Sequence, residues 1–183
     1  MKQFCLNLNK DLQRPTIVLK GISAMIDTGA YIPVWTANEQ DLIDKMGATL
    51  IKRDVKFRGF GGIAVGNLYK VNLILGELIF PDLPIISNDN VHAYCDLILS
   101  APMFDKLIYE INMYTHKLTI TVMDDADLVR NLKIVDTGGI VHVLCNSFIN
   151  IHALIPEASR HLYPEDDKEA IVKFYAEHKD MFQ

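Results

Sequence analysis

Short runs of alternating apolar and polar residues dominate the first two thirds of the chain. Residues 4–8 are Phe-Cys-Leu-Asn-Leu, a period of two that suits an edge strand with one buried face. The β-branched runs 16–19 and 22–26 are separated by Lys20-Gly21, which predicts a hairpin. The fold class is therefore predicted to be mainly β. Further predicted strands are 50–57, 68–75, 79–80, 85–86, 97–99, 108–112 and 117–122.

Two short helices are predicted between these strands. Residues 36–39 match a capping box with Thr36 as the N-cap, and they predict a helix over 38–46. Gly47 follows, at a position where helices commonly end in the left-handed conformation. A second helix is expected over 102–107, because a proline suits the first helical turn.

The acidic run Met-Asp-Asp-Ala-Asp at 123–127 marks a predicted boundary, beyond which a C-terminal α/β extension begins. Within this extension, the apolar runs 132–135 and 140–144 predict a hairpin. Residues 164–182 predict a helix, because their apolar positions fall on one helical face. The predicted units are a strand-rich domain, 1–123, and the extension, 124–183.

Charge and cysteine content limit which binding partners and which cellular compartment are expected. The 183 residues carry a net charge of −5 without blocks of Lys or Arg, so neither nucleic acid nor an acidic membrane is an expected partner. Charges interrupt every long apolar stretch, and the first residues do not resemble a secretory signal. The three cysteines are far apart and odd in number, which favours reduced thiols and a cytoplasmic protein.

The tetrapeptide Asp27-Thr28-Gly29-Ala30 carries the clearest candidate chemistry. It follows the apolar run 24–26, so its carboxylate ends a strand that is predicted to be buried. An ionisable group in such a setting is costly unless it is paired or used, and Gly29 allows the backbone to turn sharply behind it.

Four features in order give residues 4–122 a resemblance to the retropepsin-like aspartic proteases. The first is the Asp27 tetrapeptide, and the second is the glycine-rich segment 57–63, placed where the family has its flap hairpin. The third is the segment 96–104, which resembles the family's second signature of two apolar residues, a glycine and a short helix. The fourth is the predicted hairpin over 108–122. The resemblance implies an acid-protease half-barrel with a flap.

The resemblance also implies a homodimeric endopeptidase, in which two Asp27 carboxylates share one proton and activate a water without metal or cofactor. One acid acts as general base while its protonated partner hydrogen-bonds to the scissile carbonyl of a bound peptide or protein. Thr28 would hold the two aspartate loops together across the dimer axis. The implied supporting residues are Thr28, Gly29 and Ala30 at the active site, Gly59, Phe60, Gly61 and Gly62 in the flap, and Ile98, Leu99 and Ser100 in the second signature.

Two alternatives stay open. Ser100 stands where the family has glycine, which leaves room for a non-catalytic dimerisation or peptide-binding module of the same fold. The second alternative is a single-chain protease that pairs Asp27 with Asp136, since Asp136-Thr137-Gly138 repeats the motif between similar apolar flanks. Only residues 137–183 follow Asp136, which is short for a second lobe, and a hairpin turn explains the same residues.

Overall fold

The computed structural model describes residues 1–59, 61–88, 94–146 and 157–163, together with residues 167, 170, 173, 174, 177 and 178. The protein is mainly β, as the sequence predicts. The described strands are β1 (Lys2–Asn7), β2 (Thr16–Leu19), β3 (Ile22–Asp27), β4 (Val34–Trp35), β5 (Thr49–Gly59), β6 (Gly62–Leu75), β7 (Leu78–Ser87), β8 (Leu97–Ser100), β9 (Ile108–Asn112), β10 (Lys117–Val122), β11 (Asn131–Thr137) and β12 (Ile140–Asn146). The helices with described bounds are α1 (Glu39–Met46) and the 3₁₀ helices Ala101–Phe104, Asp125–Leu128 and Glu157–Leu162.

The strands of the described residues form two sheets. Nine strands form a curled half-barrel in the order β11-β12-β5-β6-β7-β4-β8-β3-β2. Strands β1, β10 and β9 form a smaller antiparallel sheet, in which β1 is an edge strand as its alternation predicts. The hairpin β2–β3 turns at Lys20 and Gly21, both of which have positive φ, so that prediction is confirmed.

Strand β3 lies between β2 and β8, and its pairing with β8 is parallel. Ala24 pairs with Leu97 and Asp27 pairs with Ser100, so the two strands end at the same point. All four residues of β8 are buried, which fits a strand covered on both faces. This pairing places the 96–104 segment directly beside Asp27.

Helix α1 forms where the sequence predicts it, but the predicted N-cap Thr36 is wrong. Asn38 caps the helix, and its side chain accepts a hydrogen bond from the backbone N–H of Gln40. The Thr36 hydroxyl instead donates to the Cys95 carbonyl oxygen at 2.6 Å, so a tertiary contact takes it away from the helix. Gly47 ends the helix with φ 64°, as predicted.

Two other segments differ from their predictions. Strand β7 runs unbroken through Pro81 and Pro84. Pro81 lies at the register shift between Val71 and Leu73 of β6, outside the paired positions, and Pro84 pairs with Lys70 on a stretch of β7 that precedes its pairing with β4. The helix predicted over 102–107 is a 3₁₀ helix that ends at Phe104.

The hairpin predicted in the C-terminal extension is confirmed as β11–β12, with positive φ at Gly138 and Gly139. It joins the large sheet because β12 pairs in parallel with β5, at Ile140 with Lys56 and at Val141 with Phe57. The boundary after residue 123 stays a prediction. The helix predicted over 164–182 lies mostly outside the described residues, but residues 170, 173, 174 and 177 are helical.

Arg130 connects the extension by hydrogen bonds to the 3₁₀ helix that follows β8 and to the residue after it. Its side chain is fully buried, and Nε donates to the Met103 carbonyl oxygen at 2.7 Å. Nη1 donates to the Asp127 carbonyl oxygen at 3.0 Å, and Nη2 donates to that of Asp105. Burial lowers the pKa of the Arg130 guanidinium, and three carbonyl oxygens offset the cost of burying it.

Candidate active site

Local hydrogen bonds shape the turn that carries Asp27. The backbone N–H of Gly29 donates to Asp27 Oδ1 at 2.9 Å, and the N–H of Ala30 donates to the Asp27 carbonyl oxygen at 3.2 Å. Asp27 is half-buried, whereas Thr28 and Gly29 are exposed at the tip. The carboxylate is thus held in one orientation by its own turn, with one oxygen already accepting a donor.

The segment 96–104, which resembles the second signature, lies behind this turn. Ser100 is fully buried beside Asp27, and Leu99, also fully buried, pairs with Ile26. The N–H of Ala101 donates to the Ala30 carbonyl oxygen at 3.0 Å, which ties the two segments together. The Ser100 side chain fits in this packing, but its hydroxyl has no hydrogen-bond partner among the described residues.

Asp96 has a structural role at the other end of β8. Its Oδ2 accepts hydrogen bonds from the Ser23 backbone N–H at 2.9 Å and from the Ser23 hydroxyl at 3.3 Å. Asp96 thereby ties the start of β8 to β3 by side-chain hydrogen bonds, in addition to the backbone pairing of the two strands.

A cleft of about 480 Å³ opens at the Asp27 turn. It brings Asp27, Gly29 and Ala30 together with Gly59 of the glycine-rich hairpin and with Ile98 of the second signature. The remaining lining residues are Arg14, Tyr31, Ile32, Val34, Phe57 and Arg58. Asp27 is the one carboxylate among the described lining residues.

Of the other predicted flap residues, Gly61 and Gly62 are not among the described residues that line the cleft. Gly59 pairs with Gly62 at the end of the β5–β6 hairpin, and Gly61 and Gly62 are exposed at its tip. Gly62 has φ 120°, a conformation that requires glycine there. Phe60 lies outside the described residues.

Two arginines of the cleft were not singled out from the sequence. The Arg14 guanidinium carbon lies 5.5 Å from the ring centroid of Tyr94, a cation–π distance, and Arg58 projects from β5 just before the glycines. Alternation along β5, with Phe57 buried and Arg58 exposed, is the signal that places Arg58 on the open face. No local motif marks Arg14.

The second motif occupies a different environment. Asp136 is exposed, and its Oδ1 accepts a hydrogen bond from the Gly139 N–H at 2.8 Å, closing the β11–β12 turn. Asp136 is absent from the described lining of the cleft, whereas Thr137 lines a neighbouring pocket. The hydrogen bond and the strand pairing of Asp136 are therefore those of a local hairpin turn.

That neighbouring pocket has a volume of about 320 Å³. Its lining consists of Tyr31, Ile32, Arg58, Thr137, Ile140, Val141 and His142. Tyr31, Ile32 and Arg58 also line the Asp27 cleft, so the two cavities adjoin. The N–H of Val143 donates to the Tyr31 carbonyl oxygen at 3.3 Å, which ties the β11–β12 hairpin to the segment that follows Asp27.

Other chemistries find little support in the described part of the chain. Cys5, Cys95 and Cys145 are free thiols, and burial raises the pKa of the Cys95 thiol, which makes it a poor nucleophile. Within the described residues, no group of three or more His, Cys, Asp or Glu side chains is arranged to hold a metal ion. None of the helices described is long and apolar enough to cross a membrane.

No model of a known protein family matches the chain, and no curated protein matches it. The resemblance to retropepsin-like proteases therefore rests on the residues around Asp27 and on the order of the four features.

Proposed function

We propose that the protein is an aspartic endopeptidase of retropepsin-like fold that works as a homodimer. The observation that carries the proposal is the position of Asp27, at the end of the parallel pair β3–β8 and in the lining of a cleft that also includes Gly59. A peptide strand has room in such a cleft, with side chains selected by pockets along it.

A second copy of the chain is the proposed source of the second carboxylate. Asp27 is the one acid among the described residues that line the cleft, and Thr28 and Gly29 stand exposed beside it. Two Asp27 side chains meeting at this tip share one proton, since two like charges so close together do not both ionise.

The chemistry then follows from that shared proton. The ionised Asp27 removes a proton from a water held between the two acids, and the water attacks the scissile carbonyl carbon directly. The protonated Asp27 of the other copy hydrogen-bonds to the carbonyl oxygen as charge develops there and transfers its proton to it, which gives a tetrahedral gem-diol. The first Asp27 then gives the proton that it took from the water to the amide nitrogen, the C–N bond breaks, and the other Asp27 takes back a hydroxyl proton. No covalent intermediate forms between enzyme and substrate. A cytoplasmic setting, in which the three free thiols stay reduced, belongs to the same proposal.

A non-catalytic peptide-binding module is the second candidate function. It is favoured by one observation, the buried Ser100 hydroxyl beside Asp27, which has no described partner. A buried hydroxyl without a hydrogen bond is unfavourable, and it is not expected directly beside an aspartate that must be held in a catalytic geometry.

Digestion of a mixed peptide library between about pH 4 and 7 tests the proposal. Wild type is expected to cleave, and Asp27→Asn should lower the rate by about 10³-fold, within the range of general acid–base catalysis. Asp136→Asn is the matched control, because it makes the same change in the exposed copy of the motif, and its rate should equal that of wild type.

The partner carboxylate has a test of its own. Excess Asp27→Asn protein added to wild type should inhibit cleavage, because mixed dimers contain a single acid. Equal loss of activity in Asp136→Asn, without inhibition by the Asp27→Asn protein, would support the single-chain pairing instead. Absence of cleavage by wild type across the pH range would leave the binding module as the function.

A further inference from the structure

The pocket of about 320 Å³ beside the cleft is lined on one side by residues of the proposed active site and on the other by the β11–β12 hairpin of the extension. Tyr31, Ile32 and Arg58 belong to both cavities. The other four lining residues all come from β11–β12 and its turn: Thr137, Ile140, Val141 and His142. A peptide lying in the cleft along Asp27 therefore passes the mouth of a pocket that the C-terminal extension completes.

The polar groups of this pocket suit a carboxylate. Arg58 supplies a guanidinium, whose fork of N–H donors matches the two oxygens of a carboxylate, and Thr137 and His142 add a hydroxyl and an imidazole. No acid occurs among the described residues of the lining, although the chain as a whole carries a net charge of −5. Arg58 is exposed and takes part in none of the ion pairs found among the described residues.

The walls of the pocket suit a short apolar stem. Ile32 and Val141 are buried, and Ile140 is half-buried, so the pocket offers aliphatic surface next to its polar groups. A glutamate side chain has this composition, with two methylene groups that carry a carboxylate.

We propose that this pocket is a substrate subsite that binds an acidic side chain, preferably glutamate, of the peptide held in the Asp27 cleft. Arg58 is its specificity-determining residue, and the β11–β12 hairpin serves substrate selection. This inference rests on the proposed function, because the occupant is a residue of the substrate of that same site.

Peptide selection on an inactive protein tests the subsite without requiring cleavage. A random-sequence peptide library is passed over immobilised full-length Asp27→Asn protein, and the retained peptides are sequenced. Glutamate should be enriched at one position of the aligned peptides. A synthetic peptide from this set should bind about fivefold more tightly than its Glu→Gln counterpart, as expected of one exposed charge pair.

The control variants separate the pocket from general electrostatics. Arg58→Gln in the Asp27→Asn background should abolish the difference between the two peptides, and Arg58→Lys should keep part of it. Lys52→Gln removes one positive charge from an exposed position of the same strand, outside both linings, and should keep the difference intact.

Each outcome bears on one proposal or the other. Acidic enrichment at every position, or equal effects of Arg58→Gln and Lys52→Gln, overturns the subsite. Cleavage by wild type without an acidic preference overturns the subsite and leaves the endopeptidase standing. Arg58-dependent glutamate selection, without cleavage by wild type, supports the subsite and overturns the endopeptidase. Retention of no peptide by the Asp27→Asn protein overturns the subsite, and cleavage by wild type alone then decides whether the endopeptidase stands.

Discussion

The two Asp-Thr-Gly turns of this protein have the same three residues and different surroundings. Asp27 ends β3, and its carboxylate accepts a hydrogen bond from Gly29, whereas Asp136 lies near the end of β11 and accepts one from Gly139. Each turn is thus closed by its own aspartate, as Asp and Gly favour in any chain. The Asp-Thr-Gly tripeptide alone therefore explains the local turn at both sites, but it does not explain why their surroundings differ.

The strands beside each turn make the difference. Asp27 pairs with Ser100 of a fully buried strand, and the preceding Met25 and Ile26 are 8% and 6% exposed. Asp136 lies on β11, at the edge of the large sheet, where it pairs with Val141 of the same hairpin, and the preceding Ile134 is 39% exposed. An aspartate becomes a candidate catalyst when non-local strands place it in a cleft, so the flanking packing carries more information than the motif.

The largest expected effect comes from Arg130, whose hydrogen bonds connect the extension that carries Asp136 to the segment that follows β8. Arg130→Met removes the donors to the carbonyl oxygens of Met103, Asp105 and Asp127, and it leaves the carbonyl oxygen of the buried Met103 without this donor. The free energy of unfolding should fall by about 3 kcal/mol or more, measured by urea denaturation. Lys133→Met, which removes an exposed positive charge from β11, should change it by less than about 0.5 kcal/mol. Similar losses in the two variants would contradict this role of Arg130.

The threonines of the two turns should differ in their effect on dimerisation. Thr28 is exposed beside Asp27, and the proposed dimer gives its hydroxyl a partner in each copy. Thr28→Ala should raise the dimer dissociation constant by about 10- to 100-fold, the scale of two hydrogen bonds, as measured by analytical ultracentrifugation. Thr28→Ser retains the hydroxyl and should restore most of the affinity. Thr137→Ala should leave dimerisation unchanged, and a shift equal to that of Thr28→Ala would refute the asymmetry.

The glycines of the two turns should respond in opposite ways. A Cβ at Gly29 would lie 3.3 Å from Asp27 Oδ1, so Gly29→Ala displaces the carboxylate and should lower the cleavage rate by about tenfold or more. Gly138 has φ +63° with open space around it, so Gly138→Ala should cost about 1 kcal/mol of stability and leave cleavage intact.

Activity assays and thermal unfolding of both glycine variants test whether Gly29→Ala mainly lowers activity and Gly138→Ala mainly lowers stability. Gly138→Asn should recover part of the lost stability, because asparagine tolerates the left-handed region. A loss of cleavage in Gly138→Ala as large as that in Gly29→Ala would show that the two turns are functionally alike.

Local patterns were sufficient for most strands and for the hairpins. The turn at Lys20-Gly21 and the β11–β12 hairpin follow from turn residues between apolar runs, and both are observed. The 96–104 segment was singled out by the ordered resemblance rather than by periodicity, and its position beside Asp27 is known from the β3–β8 pairing.

Non-local contacts account for what the sequence pattern missed. Thr36 has the right spacing for a cap, yet its hydroxyl bonds to Cys95, which is distant in sequence, and Asn38 takes its place. Arg14 and Arg58 meet in one cleft only through the folding of several strands. The parallel pairing of β12 with β5 likewise lacks a local signal, because such pairing depends on the whole connection between the strands.

The smallest expected effect concerns two serines on the paired strands that lead to Asp27. The Ser23 hydroxyl donates to Asp96 Oδ2 and accepts from the Asp96 N–H at 3.0 Å, whereas the Ser100 hydroxyl is buried without a described partner. Ser23→Ala should therefore lower the free energy of unfolding by about 1 kcal/mol, and Ser100→Ala should raise it by up to about 1 kcal/mol. Urea denaturation of the two variants at a protein concentration that keeps the chain monomeric measures both. A stability loss in Ser100→Ala under these conditions would mean that the hydroxyl has a bonding partner within the monomer. The packing beside Asp27 would then carry no unmet hydrogen bond, and the one observation that favours a non-catalytic module would disappear.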